Sequence, residues 1–321
     1  MIIGFIGLGN LGSKLATTLR RNGCELIVHD LEQTAARPLL EAGARWASTP
    51  KQVALGADLI ITCLPSPAIS AQVLERRDGV LEGLSANKLW LEMSTTEESE
   101  VRRLGERVIG TGAAALDAPV SGGCHRAATG NISIFVGGDR AAFERALPAL
   151  RIMGRRIIHT GPLGSASVLK VITNYLAFVH LAALTEAWTV ASKAGMDPKT
   201  TYEAIKASSG NSFVHETESQ VILNGSYDIN FTVDLALKDI GLFLELSRRY
   251  GVPTEVADTV TDMFRDTQSR YGPRALSPRI MQRLEDDCGI RVRAPGFPAQ
   301  LVDREPEEPG AEVVAAQTRY L

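Results

Sequence analysis

Residues 2–12 read Ile2-Ile3-Gly4-Phe5-Ile6-Gly7-Leu8-Gly9-Asn10-Leu11-Gly12, an apolar run that ends in G-x-G-x-x-G. Alone, that spacing is a weak signal. Here a strand-like run (2–7) precedes it, a helical pattern (10–22) follows it, and a second strand-like run (25–30) ends in Asp30. Gly7 permits the tight turn, Gly9 lets backbone approach a pyrophosphate, and Gly12 lets helix and strand pack closely. The helix start, with unpaired N–H groups and a favourable dipole, suits the anion. Asp30 follows Gly12 at the distance of a carboxylate that binds adenosine ribose hydroxyls, and the next residue is Leu31, not arginine. A carboxylate there repels a 2′-phosphate, so NAD is expected over NADP. Gly7, Gly9, Asn10, Leu11, Gly12 and Asp30 are the candidate cofactor-binding residues. The alternative is a glycine turn that packs a sheet and binds nothing.

Outward from this stretch, apolar runs at 2–7, 25–30, 59–64, 89–93 and 113–117 alternate with helical patterns at 10–22, 33–42, 66–74 and 97–108. The runs are rich in Ile, Val and Leu and lack in–out alternation, as strands of a parallel sheet covered on both faces should. Strand–helix alternation predicts a doubly wound α/β sheet. Segments 132–137, 139–153 and 156–160 close that domain. After 161–164 the period is helical: 165–194 as one long helix, an N-cap and proline at Asp197-Pro198, then 234–250, 253–271 and 277–288. Beyond Gly289, prolines and the run Glu305-Pro306-Glu307-Glu308 suggest an extended tail. The expected domains are 1–162, an all-α domain at 163–288, and a tail at 289–321.

Composition narrows the function. With 321 residues, 34 Lys plus Arg and 37 Asp plus Glu, the net charge is −3, which argues against a phosphate-driven nucleic-acid partner. The scattered Cys24, Cys63, Cys124 and Cys288 offer neither a disulfide framework nor metal-ligand spacing, so no metal is expected and a reducing, cytoplasmic setting fits. Residues 168–191 carry only Lys170 and Glu186 as formal charges and could span a bilayer by length. Thr173, Asn174, His180, Thr185 and Thr189 favour a buried core helix and no membrane.

Two further constellations carry chemistry. Asp117-Ala118-Pro119-Val120-Ser121-Gly122-Gly123 follows a strand, and a hydroxyl with two glycines exposes backbone donors suited to an anion such as a substrate carboxylate. The alternative is an ordinary strand-exit turn. Lys170 and Asn174 share one helix face. Val168, Leu169, Val171 and Ile172 flank the lysine, and desolvation lowers a lysine pKa and makes it usable as an acid or base. A snorkelling lysine beside a solvent-facing asparagine is the alternative. His125, close after the serine–glycine loop, is at most a substrate contact, and His159 reads as a packed or capping residue.

Residues 7–12, 117–123, 164–174 and Lys238-Asp239 together, in that order, resemble the β-hydroxyacid dehydrogenases, over roughly residues 1 to 288. The chain is similar to 3-hydroxyisobutyrate dehydrogenases and tartronate semialdehyde reductases. The resemblance implies an N-terminal Rossmann-type domain, an all-α C-terminal domain, and an active site between them. It implies Lys170 as catalytic acid/base, Asn174 as its substrate-orienting partner, and Ser121, Gly122 and Gly123 as holders of the substrate carboxylate. Leu64 and Pro65 match a segment along the cofactor, Thr95 a threonine near the nicotinamide ribose, and Lys238 a lysine that closes over the cofactor. Leu11, Ala166, Tyr175, Glu92 and Glu98 depart from the family pattern; Leu11 is a tolerable swap of apolar residues, while Tyr175, Glu92 and Glu98 bear on substrate identity more than on reaction type. The expected activity is NAD-dependent interconversion of a small 3-hydroxy acid and its semialdehyde, by a homo-oligomer (dimer or tetramer). The alternatives are a reductase of another small substrate (tartronate semialdehyde, threonate, 4-hydroxybutyrate or succinic semialdehyde, or an imine) and a non-catalytic NAD-binding module.

Overall fold

The computed structural model describes residues 1–314; residues 315–321 of the expected tail lie outside the described residues. The chain runs β1 (Ile2–Ile6), α1 (Gly12–Arg21), β2 (Glu25–His29), α2 (Arg37–Glu41), β3 (Arg45–Trp46), α3 (Pro50–Gly56), β4 (Leu59–Thr62), α4 (Pro67–Glu75), β5 (Leu89–Glu92), α5 (Glu98–Ile109) and β6 (Ala114–Asp117). It continues through β7 (Val120–Ser121), α6 (Gly123–Thr129), β8 (Ile132–Gly138), α7 (Arg140–Met153), β9 (Gly154–Gly161) and α8 (Ser165–Lys193). There follow α9 (Pro198–Lys206), α10 (Phe213–Asn224), α11 (Val233–Arg249), α12 (Glu255–Tyr271), α13 (Ile280–Cys288) and β10 (Ala311–Glu312).

Strand order is β10-β9-β8-β6-β5-β4-β1-β2-β3, with β7 paired to β8. From β3 to β6 all neighbours are parallel, as the uninterrupted apolar runs predict. Alternate side chains reach opposite faces. Ile3, Phe5, Leu59, Ile61, Leu89 and Leu91 join one core cluster, while Ile6, Ile60 and Trp90 join another. Covered on both faces, the strands need no polar side, and this is the Rossmann-type arrangement.

Several elements differ from the sequence reading. β8 runs antiparallel to β6, because the link between them is the short β7–α6 excursion and not a crossover helix. Residues 33–42 divide into a 3₁₀ turn, Gln33–Ala36, and α2, with Pro38 entering the first turn of α2. Residues 277–279 are likewise 3₁₀ ahead of α13. The helix α10 has no apolar stripe to announce it, since His215, Thr217 and Ser219 are among its buried positions. Its start is marked by Ser212, whose hydroxyl accepts from His215 N at 3.0 Å.

Contacts divide the chain into two units, Met1–Lys170 with Asp303–Leu321, and Val171–Val302. Both joins differ from the expected 1–162, 163–288 and 289–321. The first turn of α8 belongs with the sheet, and the tail is shared. Within the helical unit, Tyr227, Glu285 and Arg293 form a knot: Tyr227 Oη donates to Glu285 Oε2 at 2.5 Å and Arg293 NH1 donates to Glu285 Oε1 at 2.6 Å. Within the sheet unit, Asp303 accepts from Asn131 Nδ2 at 2.7 Å, Arg126 pairs with Glu305 at 2.8 Å, and β10 adds a parallel edge strand to β9. Gly310 is required there, because a Cβ would run into the Gly154 carbonyl.

The helical unit has its own apolar centre, including Phe178, Leu181, Trp188, Ile222, Ile240 and Phe264. The helix α8 is long and apolar enough to cross a membrane, and 39% of its most apolar window is buried inside the protein.

Candidate active site

At the carboxyl edge of the sheet, Gly7 leaves β1 with φ of 96° and donates its N–H to the His29 carbonyl at 3.0 Å. A Cβ at Gly7 would strike the Cys63 carbonyl, and one at Gly12 would strike the Gly7 carbonyl. A Cβ at Gly9 would meet nothing within 4 Å, so the open side of the turn lies at the glycine that the motif assigns to pyrophosphate approach. Asp30 is held in place from both ends: Oδ2 accepts from Leu8 N at 2.6 Å and Oδ1 from Glu32 N at 3.0 Å. Leu31 beside it is 83% exposed. These residues fit a dinucleotide: an open glycine turn and a fixed carboxylate at the second strand's end.

The strands β1 and β4 are neighbours whose onward connections run to opposite sides, which makes this the switch point where such sheets bind ligands. Leu64 and Pro65 follow β4. Leu64 N donates to Ser94 Oγ at 2.7 Å, and Ser94 N donates to Glu92 Oε1 at 2.9 Å. Glu92 is fully buried, and burial pushes its carboxyl above the usual range, against the hydrogen bond from Ser94. One buried carboxyl thus ties the loop after β4 to the loop carrying the half-buried Thr95.

Asp117, at the end of β6, is wholly buried. Its Oδ1 accepts from Gly164 N at 2.8 Å, and its Oδ2 from Ser167 N at 2.7 Å and Ser167 Oγ at 2.9 Å. Burial raises this carboxyl above its usual range, against the donors from Gly164 and Ser167 that lower it; donors on both oxygens are what an accepting carboxylate requires. A carboxylate therefore clamps the first turn of α8, whose orphan N–H groups need acceptors. Lys170 comes three residues after Ser167 and is 9% exposed, a buried amine on a helix whose start is pinned.

Ser121 closes β7 opposite Ser133 of β8. Gly122, with φ of 131°, then turns the chain into α6 at Gly123. The expected tight loop is thus a strand end running into a short helix. The His125 ring lies beside Gly123, and burial, then the Arg126 charge, push its pKa down. His159 Nε2–H donates to the Gly138 carbonyl at 2.9 Å, and the ring packs on Phe143.

Within the helical unit, Asn174 Nδ2 donates to Asp239 Oδ2 at 2.6 Å. Lys238 Nζ lies 2.9 Å from Asp239 Oδ1, an ion pair and not an aligned hydrogen bond. Tyr175 stacks on Phe243 with centroids 3.8 Å apart and planes 5° from parallel. Of the residues singled out from sequence, the glycine turn, Asp30, Leu64, Pro65, Thr95, Ser121–Gly123 and Lys170 belong to the sheet unit, and Asn174 and Lys238 to the helical unit. Sequence reasoning missed Asp117 as a clamp, the Glu92–Ser94–Leu64 tie, and Asp239 as the partner of Asn174. Asp117 and Asp239 stood inside quoted motifs, but nothing in a sequence marks which carboxylates are buried. Among the described residues, no group of three or more His, Cys, Asp or Glu side chains is arranged to hold a metal.

Residues 2–161 match the NAD binding domain of 6-phosphogluconate dehydrogenase, and residues 164–281 the NAD-binding domain of NADP-dependent 3-hydroxyisobutyrate dehydrogenase. The chain is 33% identical to a 2-(hydroxymethyl)glutarate dehydrogenase of Eubacterium barkeri, over 90% of this chain and 97% of that one. It is 34% identical to an NAD-dependent L-serine dehydrogenase of Pseudomonas aeruginosa, over 88% and 97%. Among solved structures, the 3-hydroxyisobutyrate dehydrogenase of Mycobacterium tuberculosis with L-serine superposes with a TM-score of 0.79 at 27% identity, covering 88% of this chain and 99% of that one. The glycine turn at the switch point and these likenesses agree: the chain is an NAD(P)-binding oxidoreductase acting on CH–OH groups and belongs to the β-hydroxyacid dehydrogenase family.

Proposed function

We propose that the protein is an NAD-dependent dehydrogenase that interconverts a small 3-hydroxy acid, of 3-hydroxyisobutyrate type, and its semialdehyde, with Lys170 as acid/base. The observation that carries this reading is a buried lysine one turn into a helix whose start is clamped by a buried carboxylate. In the oxidation, the Lys170 amine takes the proton of the substrate hydroxyl; in the reduction, its ammonium returns it. Asn174 orients the reacting oxygen, and Ser121 with the N–H groups of Gly122 and Gly123 holds the carboxylate. Thr95, Leu64, Pro65 and Lys238 line the cofactor, with Gly7, Gly9, Asn10, Leu11 and Gly12 under its pyrophosphate. Bound NAD supplies the hydride chemistry, and the protein supplies position and proton transfer.

The preference for NAD is supported by Asp30, held by two backbone N–H groups, and by the absence of a basic side chain at Leu31. A 2′-phosphate would meet a fixed negative charge there. Trp188 and Phe178, both buried, support α8 as a core helix and not a membrane span. Exposed Leu176 and Val190 on α8 give a second copy an apolar surface, in line with a homo-oligomer. The near-balanced charge and four free thiols support the absence of a nucleic-acid partner and a cytoplasmic setting.

The test is NAD reduction, followed by absorbance, with 3-hydroxyisobutyrate, glycerate, L-serine, threonate, 4-hydroxybutyrate and 2-(hydroxymethyl)glutarate. 3-Hydroxyisobutyrate should give the highest kcat/KM, and Lys170→Ala should lose about 10²–10⁴-fold of it while NADH still binds. A Lys170→Ala enzyme with parental turnover overturns the assignment of the acid/base. Preference for L-serine or the glutarate replaces the substrate while leaving the reaction in place.

A further inference from the structure

Asp239 is 1% exposed, on α11, in the interior of the helical unit. A buried carboxylate is a poor choice for packing alone, because it must give up its water and an apolar residue of similar volume packs as well. Its two oxygens have distinct neighbours: Asn174 Nδ2 at 2.6 Å on Oδ2, and Lys238 Nζ at 2.9 Å on Oδ1. One residue of α11 thus meets both the asparagine proposed to orient the substrate and the lysine proposed to line the cofactor.

An asparagine amide has a donor end and an acceptor end of nearly equal shape, so packing alone does not choose between its two orientations. A carboxylate only accepts. With Asp239 on one side, the NH₂ end of Asn174 must face it, and the Oδ1 acceptor and second N–H are set in one order. The backbone at this place is held separately. Tyr175 stacks on Phe243, one turn further along α11 from Asp239. The stack fixes the approach of α8 and α11, which leaves the carboxylate to fix the amide.

We propose that Asp239 is a positioning residue: paired with Lys238, it holds the Asn174 amide in the single orientation that the substrate needs. This rests on the reading of Asn174 as substrate-orienting. Lys238 neutralises the buried charge and does not compete for the oxygen that Asn174 uses.

The experiment compares Asp239→Asn, Asp239→Glu, Asn174→Ala and the double variant Asn174→Ala/Asp239→Asn. Each is assayed with 3-hydroxyisobutyrate, L-serine and 2-(hydroxymethyl)glutarate, together with NADH affinity by fluorescence and thermal stability. Asp239→Asn can accept a flipped amide, so kcat/KM should fall about ten- to a hundredfold, as a small misplacement of a reacting group does, with NADH affinity unchanged within about threefold. Asp239→Glu keeps the charge beside Lys238 but moves the oxygens by one methylene, and it should lose kcat/KM similarly; it decides the matter if Asp239→Asn does not fold. In the Asn174→Ala background, Asp239→Asn should cost almost nothing more, because the two act through one hydrogen bond. Parental kcat/KM in the folded Asp239 variants overturns the proposal, as do losses that multiply in the double variant. NADH affinity and stability that fall in step with kcat/KM also overturn it, since that is the pattern of a purely structural role. If Asn174→Ala itself keeps parental kcat/KM, or no probe is turned over, the failure lies in the underlying reading of the site.

Discussion

Replacing Asp117 probes the link between the sheet and Lys170, the proposed acid/base. In Asp117→Ala, the N–H groups of Gly164 and Ser167 lose acceptors 2.8 and 2.7 Å away, and Ser167 Oγ loses one at 2.9 Å, all at a buried site. Each orphaned buried donor costs about 1–3 kcal/mol, although the hydroxyl can rotate to another partner. Loss of a side-chain cap at a helix start alone costs about 0.5–2 kcal/mol. Together these give a loss of about 3–5 kcal/mol, or about 10 °C in Tm for a unit of this size. Asp117→Asn is the sharper variant. It keeps the shape, but its NH₂ end must face one of two N–H donors, so about 2 kcal/mol should be lost. Because Lys170 begins one turn beyond the clamp, kcat/KM should also fall at least about tenfold. Differential scanning calorimetry and steady-state kinetics read the two effects. Asp117→Asn with Tm within about 1 °C and kcat/KM within about twofold of the parent would refute the clamp.

Other perturbations give equally definite outcomes. Asp30→Ala should weaken NAD by about ten- to a hundredfold, the worth of hydrogen bonds to a charged group, and narrow the gap to NADP; an unmodified enzyme that prefers NADP overturns the role of Asp30. Burial raises the Glu92 carboxyl, so the folded state keeps a proton that the unfolded chain releases. Its contribution is therefore intact below the unfolded value near ~4.3 and is lost as pH rises through the folded one. Glu92→Gln should be more stable than the parent at pH 8, with a gap that closes toward pH 4.5; a pH-independent gap in Tm sinks the argument. Asp303→Ala removes an acceptor from Thr129 and from the buried Asn131 and should cost about 1–3 kcal/mol; an unchanged denaturant midpoint would show that the tail adds nothing to the sheet unit.

How much of this was legible beforehand depends on the range of the interaction. Residues 2–12 and Asp30 could be read directly, because turn, helix start and ribose carboxylate are set by local backbone rules and by a spacing within one strand–helix–strand unit. The continuous apolar runs of β1, β4 and β5 told correctly of a sheet covered on both faces. Reversal of β8, by contrast, depends on the short α6 between it and β6, and seven residues beginning Gly123-Cys124-His125 carry too little periodicity to show as a helix. The helix α10 escaped for a related reason: His215 and Ser219 are inward-facing but hydrogen-bonded, Ser219 to His215 Nδ1 at 3.1 Å, so its buried face is not apolar. In the tail, prolines and glutamates suggested an extended segment, and only the arginines they meet, Arg21, Arg126, Arg140 and Arg155, make it an added strand held by ion pairs.

Sequence alone thus determined that a parallel α/β sheet carries a dinucleotide turn and is followed by helices bearing a lysine and an asparagine one turn apart. Those are statements about periodicity and neighbours in the chain, where steric rules act over a few residues. Tertiary structure alone decided which carboxylates do the holding. Asp117 meets Gly164 and Ser167, 47 and 50 residues away, and Asp239 meets Asn174 across 65. A carboxylate in a chain is soluble surface by default. It becomes a clamp only when folding strips its water and leaves backbone and amide N–H groups as its replacement.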